Sequence, residues 1–272
     1  SPEEVNMRFI RYSKGSQPAC YGWLLADFLS GNDPSGAMVG PIEGSPLEEF
    51  RRKEADLPLE SVRLHPPITP GKIICVGRNY AAHAKEHDAA IPEVPLLFLK
   101  PPSSIIGPGD TIVLPPQSQQ VEHEAELVVV ISKRGRWIPP EEASKYILGY
   151  TAGNDVTARD LQKRDGQWTR AKGFDTFCSI GPWIETEFDA ADRLITCHVN
   201  GEMRQMGSTR DMVFNIRQLV AFTSSIMTLE AGDILMTGTP AGVSPLHDGD
   251  QVEVNIEGLG TLRNTVRAET LH

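Results

Sequence analysis

Three glutamates, Glu122, Glu124 and Glu126, stand at every second position just ahead of the apolar, β-branched run Leu127–Ile131. Side chains alternate along a strand, so these carboxylates share one face. Burying several acids together is costly unless they are paired or hold a cation. The stretch therefore reads either as one wall of a metal site or as an edge strand with a solvated acidic face. A further acid, Asp155, ends the extended run Gly149–Asp155. It could join Glu124 and Glu126, or it could be a routine helix cap. Joined, the three make an all-oxygen donor set, which suits magnesium, manganese or calcium better than zinc or copper. Open positions would remain for water and a chelating substrate.

His83 and Glu86 are three residues apart in Asn79–Glu86, a spacing that puts both on one face of a helical turn. A carboxylate that holds an imidazole makes a general base; the same spacing also fits a surface ion pair. His87, next along, reads as solvated. Lys172, flanked by aromatics and glycine in Trp168–Asp175, could stabilise a developing oxyanion or stand on the surface. The small-residue turn Thr237–Val243 could present backbone N–H groups and a threonine hydroxyl to an anion. It lacks the Lys-Ser/Thr of a phosphate loop.

The elements that must position these residues are many, short and mostly extended. Strands are expected at 7–12, 20–25, 72–77, 96–99, 111–114, 121–131, 148–154, 234–236, 251–256 and 261–266. Asn200-Gly201 between two extended runs is a hairpin signal. Helices are expected at 141–146 and 157–162, and the apolar stripe over 213–227 predicts a core helix. Residues 30–44 read as loop, and Ser45, Pro46 and Glu48 as the start of a short helix to about Ala55. Three prolines and a glycine in His65–Gly71 form the best domain boundary. The expectation is an α+β, mostly β mixed roll: a small N-terminal α/β domain, residues 1–70, before a larger domain, 71–272. A regular βαβ wound sheet does not fit the spacing.

The chain of 272 residues carries a net charge of −10, which argues against nucleic acid or an anionic membrane as partner. An anionic substrate would need a local positive site, such as a metal. Four scattered cysteines without Cys-x-x-Cys give no zinc knuckle or disulfide framework, so a reducing, cytoplasmic setting is expected. No apolar run has the length of a membrane span, and no signal peptide is visible. Ser1–Asn6 precede a Met and carry no fold expectation.

Four segments stand in the order found in the fumarylacetoacetate hydrolase family, which residues 72–267 resemble. They are Glu124-Ala125-Glu126, Asn154–Asp160, Ala171–Asp175 and Thr237–Val243. The resemblance implies a β-sandwich roll, a homodimer, and Mg2+ or Mn2+ on Glu124, Glu126 and Asp155, with Glu122 outside the set. It places Lys172 and Thr239 beside metal and substrate, and Arg159 and Gln162 on the substrate's carboxylate or oxo end. His83 and Glu86 match the acid–base pair on the mobile lid of the acylpyruvase-like members. The N-terminal part is similar to that of bacterial members related to 5-carboxymethyl-2-hydroxymuconate isomerase. The implied activity is cleavage of a C–C bond in a 2,4-dioxo acid (acylpyruvate or fumarylpyruvate type) through a metal-stabilised pyruvate enolate. The alternative on the same site is an oxaloacetate decarboxylase or a keto–enol tautomerase or isomerase of hydroxymuconate type. A non-catalytic keto-acid sensor is a third reading, which the His83/Glu86 pair disfavours. The substrate's tail would be read by residues 83–95 and the loop near 205–212.

Overall fold

The computed structural model describes residues 7–26 and 34–270. The molecule is mostly β, with mixed sheets and a small N-terminal domain, as expected. Its spine is a large sheet whose strands run, side by side, 50–52, 38–44, 20–25, 8–13, 178–185, 147–155, 125–131, 234–236, 73–77 and 96–100. The N-terminal strands continue this sheet: Arg8–Ser13 pairs antiparallel with Cys178–Glu185. A second sheet of five strands, in the order 111–114, 260–268, 251–256, 194–199 and 202–208, packs against it. Leu127 and Ala152 of the first sheet share a core with Ile195, Cys197, Val254 and Leu262 of the second.

Strand Ala125–Ile131 is buried along its whole length because both faces are covered. Val128 and Val130 point into a core with Ile73, Ile180 and Ile234. Val129 and Ile131 point the other way, onto Leu219 and Val220 of helix Ile216–Ile226. That two-sided burial explains why this run is continuously apolar where a half-exposed strand would alternate.

Asn200 and Gly201 both have positive φ, 53° and 80°, and close the hairpin of strands Leu194–Val199 and Glu202–Ser208. The helix expected over 213–227 covers 216–226 because Asn215 caps it in a reciprocal capping box with Gln218. Three local expectations are corrected. Residues 38–44 form a strand where loop was expected; the 30–33 part of that loop lies outside the described residues, as do Ser1–Asn6. Ser45–Glu48 is a single turn, with Ser45 Oγ accepting from Leu47 N and Ser45 O from Glu48 N, and no helix runs to Ala55. Phe50–Arg52 instead folds back to pair with Ile42–Gly44, so sheet pairing overrides the local helix signal. Likewise Thr157 and Ala158 pair with Glu122 and Val121, which delays the helix to Arg159–Asp165.

Candidate active site

The strand of Ala125–Ile131 pairs with Ile147–Asp155 so that Ala125 lies opposite Asn154. This register brings Asp155, at the end of one strand, to Glu124 and Glu126 at the start of the other. Ligand oxygens of Glu124, Glu126 and Asp155 all lie within 4.8 Å of one another, and all three residues are buried. Asn154 Oδ1 accepts from Glu124 N, and Glu124 O from Asp155 N, which fixes the corner. The strand is interrupted at His123–Glu124, and Glu122 leaves the cluster to pair with Arg159.

Cations surround two of the three acids. Lys172 Nζ lies 2.9 Å from Glu124 Oε2 and 2.7 Å from Asp155 Oδ2. Lys100 Nζ donates to Asp155 Oδ1 at 2.6 Å and to the Val156 carbonyl. Arg159 donates to Glu122 Oε2 at 2.7 Å, Glu124 Oε1 at 2.6 Å and Gln162 Oε1 at 2.7 Å. Burial alone would raise the Glu124 carboxyl, but Lys172 and Arg159 outweigh it and hold it well below the usual carboxylate range. Burial likewise opposes the charge of Lys172, and Asp155 and Glu124 reverse the effect and raise it. Glu126 is different: burial, then Asp155 and Glu124, push its carboxyl well above the ordinary range. Its Oε2 accepts from Gly238 N, at 3.0 Å. A buried acid in this position needs a proton or a cation, and with hard oxygens on three sides the donor set fits a divalent ion such as magnesium or manganese.

The short helix Ala81–Glu86 carries His83 and Glu86 over this cluster. His83 Nδ1 is 3.3 Å from Glu86 Oε2, and both Glu86 oxygens accept from Gly242 N. The imidazole is buried, which lowers its pKa; Glu124 and Glu86 offset part of that effect. His83 is thus a neutral acceptor near pH 7. Asn79 anchors the helix entry by donating to the Phe214 and Thr237 carbonyls and accepting from Phe214 N. His87 is not solvated: it lies half-buried, edge-on to His83 with ring centroids 4.7 Å apart.

These groups meet in a cavity of ≈ 300 Å³ lined by His83, Glu124, Glu126, Arg159, Gln162, Lys172 and Thr239, with Arg78, Lys163 and Trp168 among its other walls. The structure therefore brings His83, Glu124, Glu126, Arg159, Gln162, Lys172 and Thr239 to one cavity, with Asp155 buried beside its acids and Glu86 reaching it through His83, while Glu122 turns away to Arg159. Two of them are bonded differently from the expectation. The guanidinium of Arg159 is committed to Glu122, Glu124 and Gln162. The Thr239 hydroxyl donates to Ala125 O at 2.8 Å and accepts from Gln205 Nε2 at 2.7 Å.

Several contributors escaped the sequence reading. Lys100 closes the apolar strand Leu96–Lys100 before two prolines, a pattern that gives no hint of a fully buried ammonium. Gln205 lies on an otherwise exposed hairpin strand, yet is buried; its Oε1 accepts from Ala125 N and lies 2.8 Å from His123 Nδ1. Arg78 has a positive φ of 56° and stands over Trp168 at the cavity. Only the fold pairs these residues with the site.

Comparison with known proteins shows the family and the fold. Residues 72–267 match the family described as fumarylacetoacetate (FAA) hydrolase, C-terminal, and residues 7–67 match an N-terminal family described as Rv2993c-like. A 5-carboxymethyl-2-hydroxymuconate delta-isomerase from Mycobacterium smegmatis superposes with a TM-score of 0.88 at 43% identity, covering 97% of this chain and all of that one. A 2-hydroxyhepta-2,4-diene-1,7-dioate isomerase from Mycobacterium marinum gives 0.89 at 40%, with the same coverage. The mitochondrial oxaloacetate tautomerase Fahd2a of Rattus norvegicus is 45% identical over 222 residues, 77% of this chain and 71% of the rat protein. With nearly the whole larger domain matched and the acid cluster in the expected order, the chain belongs to the fumarylacetoacetate hydrolase family of enzymes.

Proposed function

We propose that the protein is a divalent-metal-dependent keto–enol tautomerase or isomerase of a small oxo-dicarboxylic acid of the oxaloacetate class. The observation that carries this reading is a buried, neutral imidazole held by a carboxylate in the same cavity as three hard-oxygen acids and a buried lysine. Glu124, Glu126 and Asp155 would hold the cation, magnesium or manganese. When bound, it supplies a Lewis acid that polarises an α-oxo acid. His83 takes a proton from the carbon next to the oxo group as the C–H bond breaks, and the C=C bond forms. The electron pair moves to the oxo oxygen, where the proton is delivered to give the enol. Lys172, which touches both Glu124 and Asp155, places its ammonium where that charge develops. Glu86 orients the imidazole. Arg78 and Lys163 on the cavity wall offer charge to the second carboxylate. Thr239 and Gln162 line the substrate's path, and Arg159 sets the position of Glu124 and Gln162. The names of the relatives, two dioate or muconate isomerases and an oxaloacetate tautomerase, support proton transfer as the shared reaction.

The same dyad could instead activate water for cleavage of a C–C bond in an acylpyruvate, and the relation to fumarylacetoacetate hydrolases supports that second reading. Product analysis separates the two with magnesium or manganese present. Tautomerisation changes only the enol ultraviolet band; hydrolysis forms pyruvate and a second acid; decarboxylation releases carbon dioxide. Absence of any enol–ketone rate enhancement over a panel of oxo-dicarboxylates would rule the first reading out. A homodimer in the cytoplasm completes the proposal, the dimer being checked by light scattering. Among the described residues, no helix is long and apolar enough to cross a membrane.

A further inference from the structure

We infer that His83, Glu86 and His87 form a second cation site, of a different chemical class from the acid cluster, that takes zinc or a similar borderline ion. Ligand atoms of the three residues lie within 4.8 Å of one another. The two histidines are four apart, so the turn of helix Ala81–Glu86 and its C-cap carries both on one side, the spacing by which helices chelate zinc. Glu86 supplies the carboxylate between them. Its Oε2 is 3.3 Å from His83 Nδ1, long for a charge-assisted hydrogen bond. It is close to the roughly 3.3 Å that separates neighbouring ligands of a tetrahedral ion with bonds of about 2.0–2.1 Å. A second observation points the same way: His87 Nε2 is shielded from solvent, and no hydrogen-bond partner for it is present among the described residues. Two imidazoles and one carboxylate make the His2Glu donor set, which leaves a fourth position for water or a substrate atom. That set favours zinc, cobalt or nickel, whereas Glu124, Glu126 and Asp155 offer only oxygen.

The two sites therefore sort cations by hardness within one cavity. Zinc on His83 and Glu86 ties up the groups that move the proton, so its binding switches turnover off without displacing the cation on the acid cluster. This regulatory consequence rests on the proposed role of His83; the binding itself does not.

Cobalt(II) is the probe, because four-coordinate cobalt with nitrogen donors absorbs strongly in the visible and six-coordinate oxygen-ligated cobalt absorbs faintly. The whole chain is saturated with magnesium, titrated with cobalt and then back-titrated with zinc. The expected result is one equivalent of strong visible absorption that zinc bleaches. It persists in Glu126→Gln, which disables the acid cluster, and is lost in His87→Gln and His87→Ala, whose folding is checked by circular dichroism. Zinc affinity in His87→Gln should fall by more than the roughly 100-fold that loss of a second-shell partner costs. Only faint absorption in the wild type, or strong absorption that survives in both His87 variants, overturns the site. If the bands behave as expected but zinc inhibits the wild type and His87→Gln equally, the regulatory role falls and the site stands. If no turnover is found at all, the proposed function fails and the bands still report on the site.

Discussion

Among the described residues, Glu126 forms an ion pair with no cation. Lys100 and Lys172 answer Asp155, and Lys172 and Arg159 answer Glu124, while Glu126 receives a single backbone N–H. Four acids, with Glu122 included, face three cations, so with all four ionised a divalent ion turns the pocket from net negative to net positive. That reversal is what the proposed anionic oxo acid would need in a protein of charge −10. Magnesium or manganese at 100 times its Kd should stabilise the fold by about 2.7 kcal/mol, read as a rise in Tm of about 5–10 °C. Glu126→Gln should abolish that rise while leaving the metal-free protein at least as stable, because burial and the neighbouring acids already disfavour the charged form of Glu126 there and the amide carries no charge. His83→Ala should lower kcat by about 10²–10⁴-fold and keep the full magnesium-dependent rise in Tm. Burial lowers the pKa of His83 below its ordinary 6.5, so the base form persists as pH falls through that value. The acid limb of kcat/KM should lie below pH 6.5. Glu86 raises the His83 pKa, so Glu86→Gln should move that limb further toward acid as it slows turnover.

At the level of elements, the helix Ala81–Glu86 is held by loop contacts more than by its own six residues, too few to be stable alone. Gly242 is central to this. Its φ is +101°, its N–H bonds Glu86, and a Cβ there would stand 2.2 Å from the Arg204 carbonyl. Gly242→Ala should therefore displace the loop from Glu86 and lower kcat, with the magnesium-dependent rise in Tm retained. Asn215 gives the contrasting case. It caps helix Ile216–Ile226 away from the cavity walls, so Asn215→Ala should cost about 1 kcal/mol of stability and leave kcat unchanged.

For the whole molecule, the N-terminal strands are structural partners of the site-bearing sheet. Phe9, fully enclosed opposite Ile184, packs in the core that also holds Val128 and Met236, neighbours of the acid cluster and of the Thr237–Val243 turn. Phe9→Ala should cost about 3–5 kcal/mol, measured by denaturant unfolding, although the side chain is remote from the chemistry. The same continuity supplies the buried Arg8–Glu185 ion pair, 2.6 Å long, between the two parts of the chain.

Much of the candidate site was legible because its chemistry is written in residue type and short spacing. The Glu-x-Glu pair, the i, i+3 His83 and Glu86, and the glycine turn before Val243 each carry local geometry that survives folding. Glu122 shows where such reasoning stops. Period-two alternation put it with Glu124 and Glu126, but a break at His123–Glu124 and the pairing of Glu122 with Thr157 and Arg159 turned it away. Ser45–Ala55 shows the same limit for secondary structure, since a capping pattern yielded to pairing with a distant strand. By itself, then, the amino-acid sequence determined the donor chemistry, the mostly β character and the family order of the motifs. Only the tertiary structure decided that Lys100 and Gln205 serve the site, that Arg159 is occupied by Glu122 and Glu124, and that His87 faces His83. Those are long-range encounters set by register and burial, and no local spacing encodes which charge will meet which in the interior.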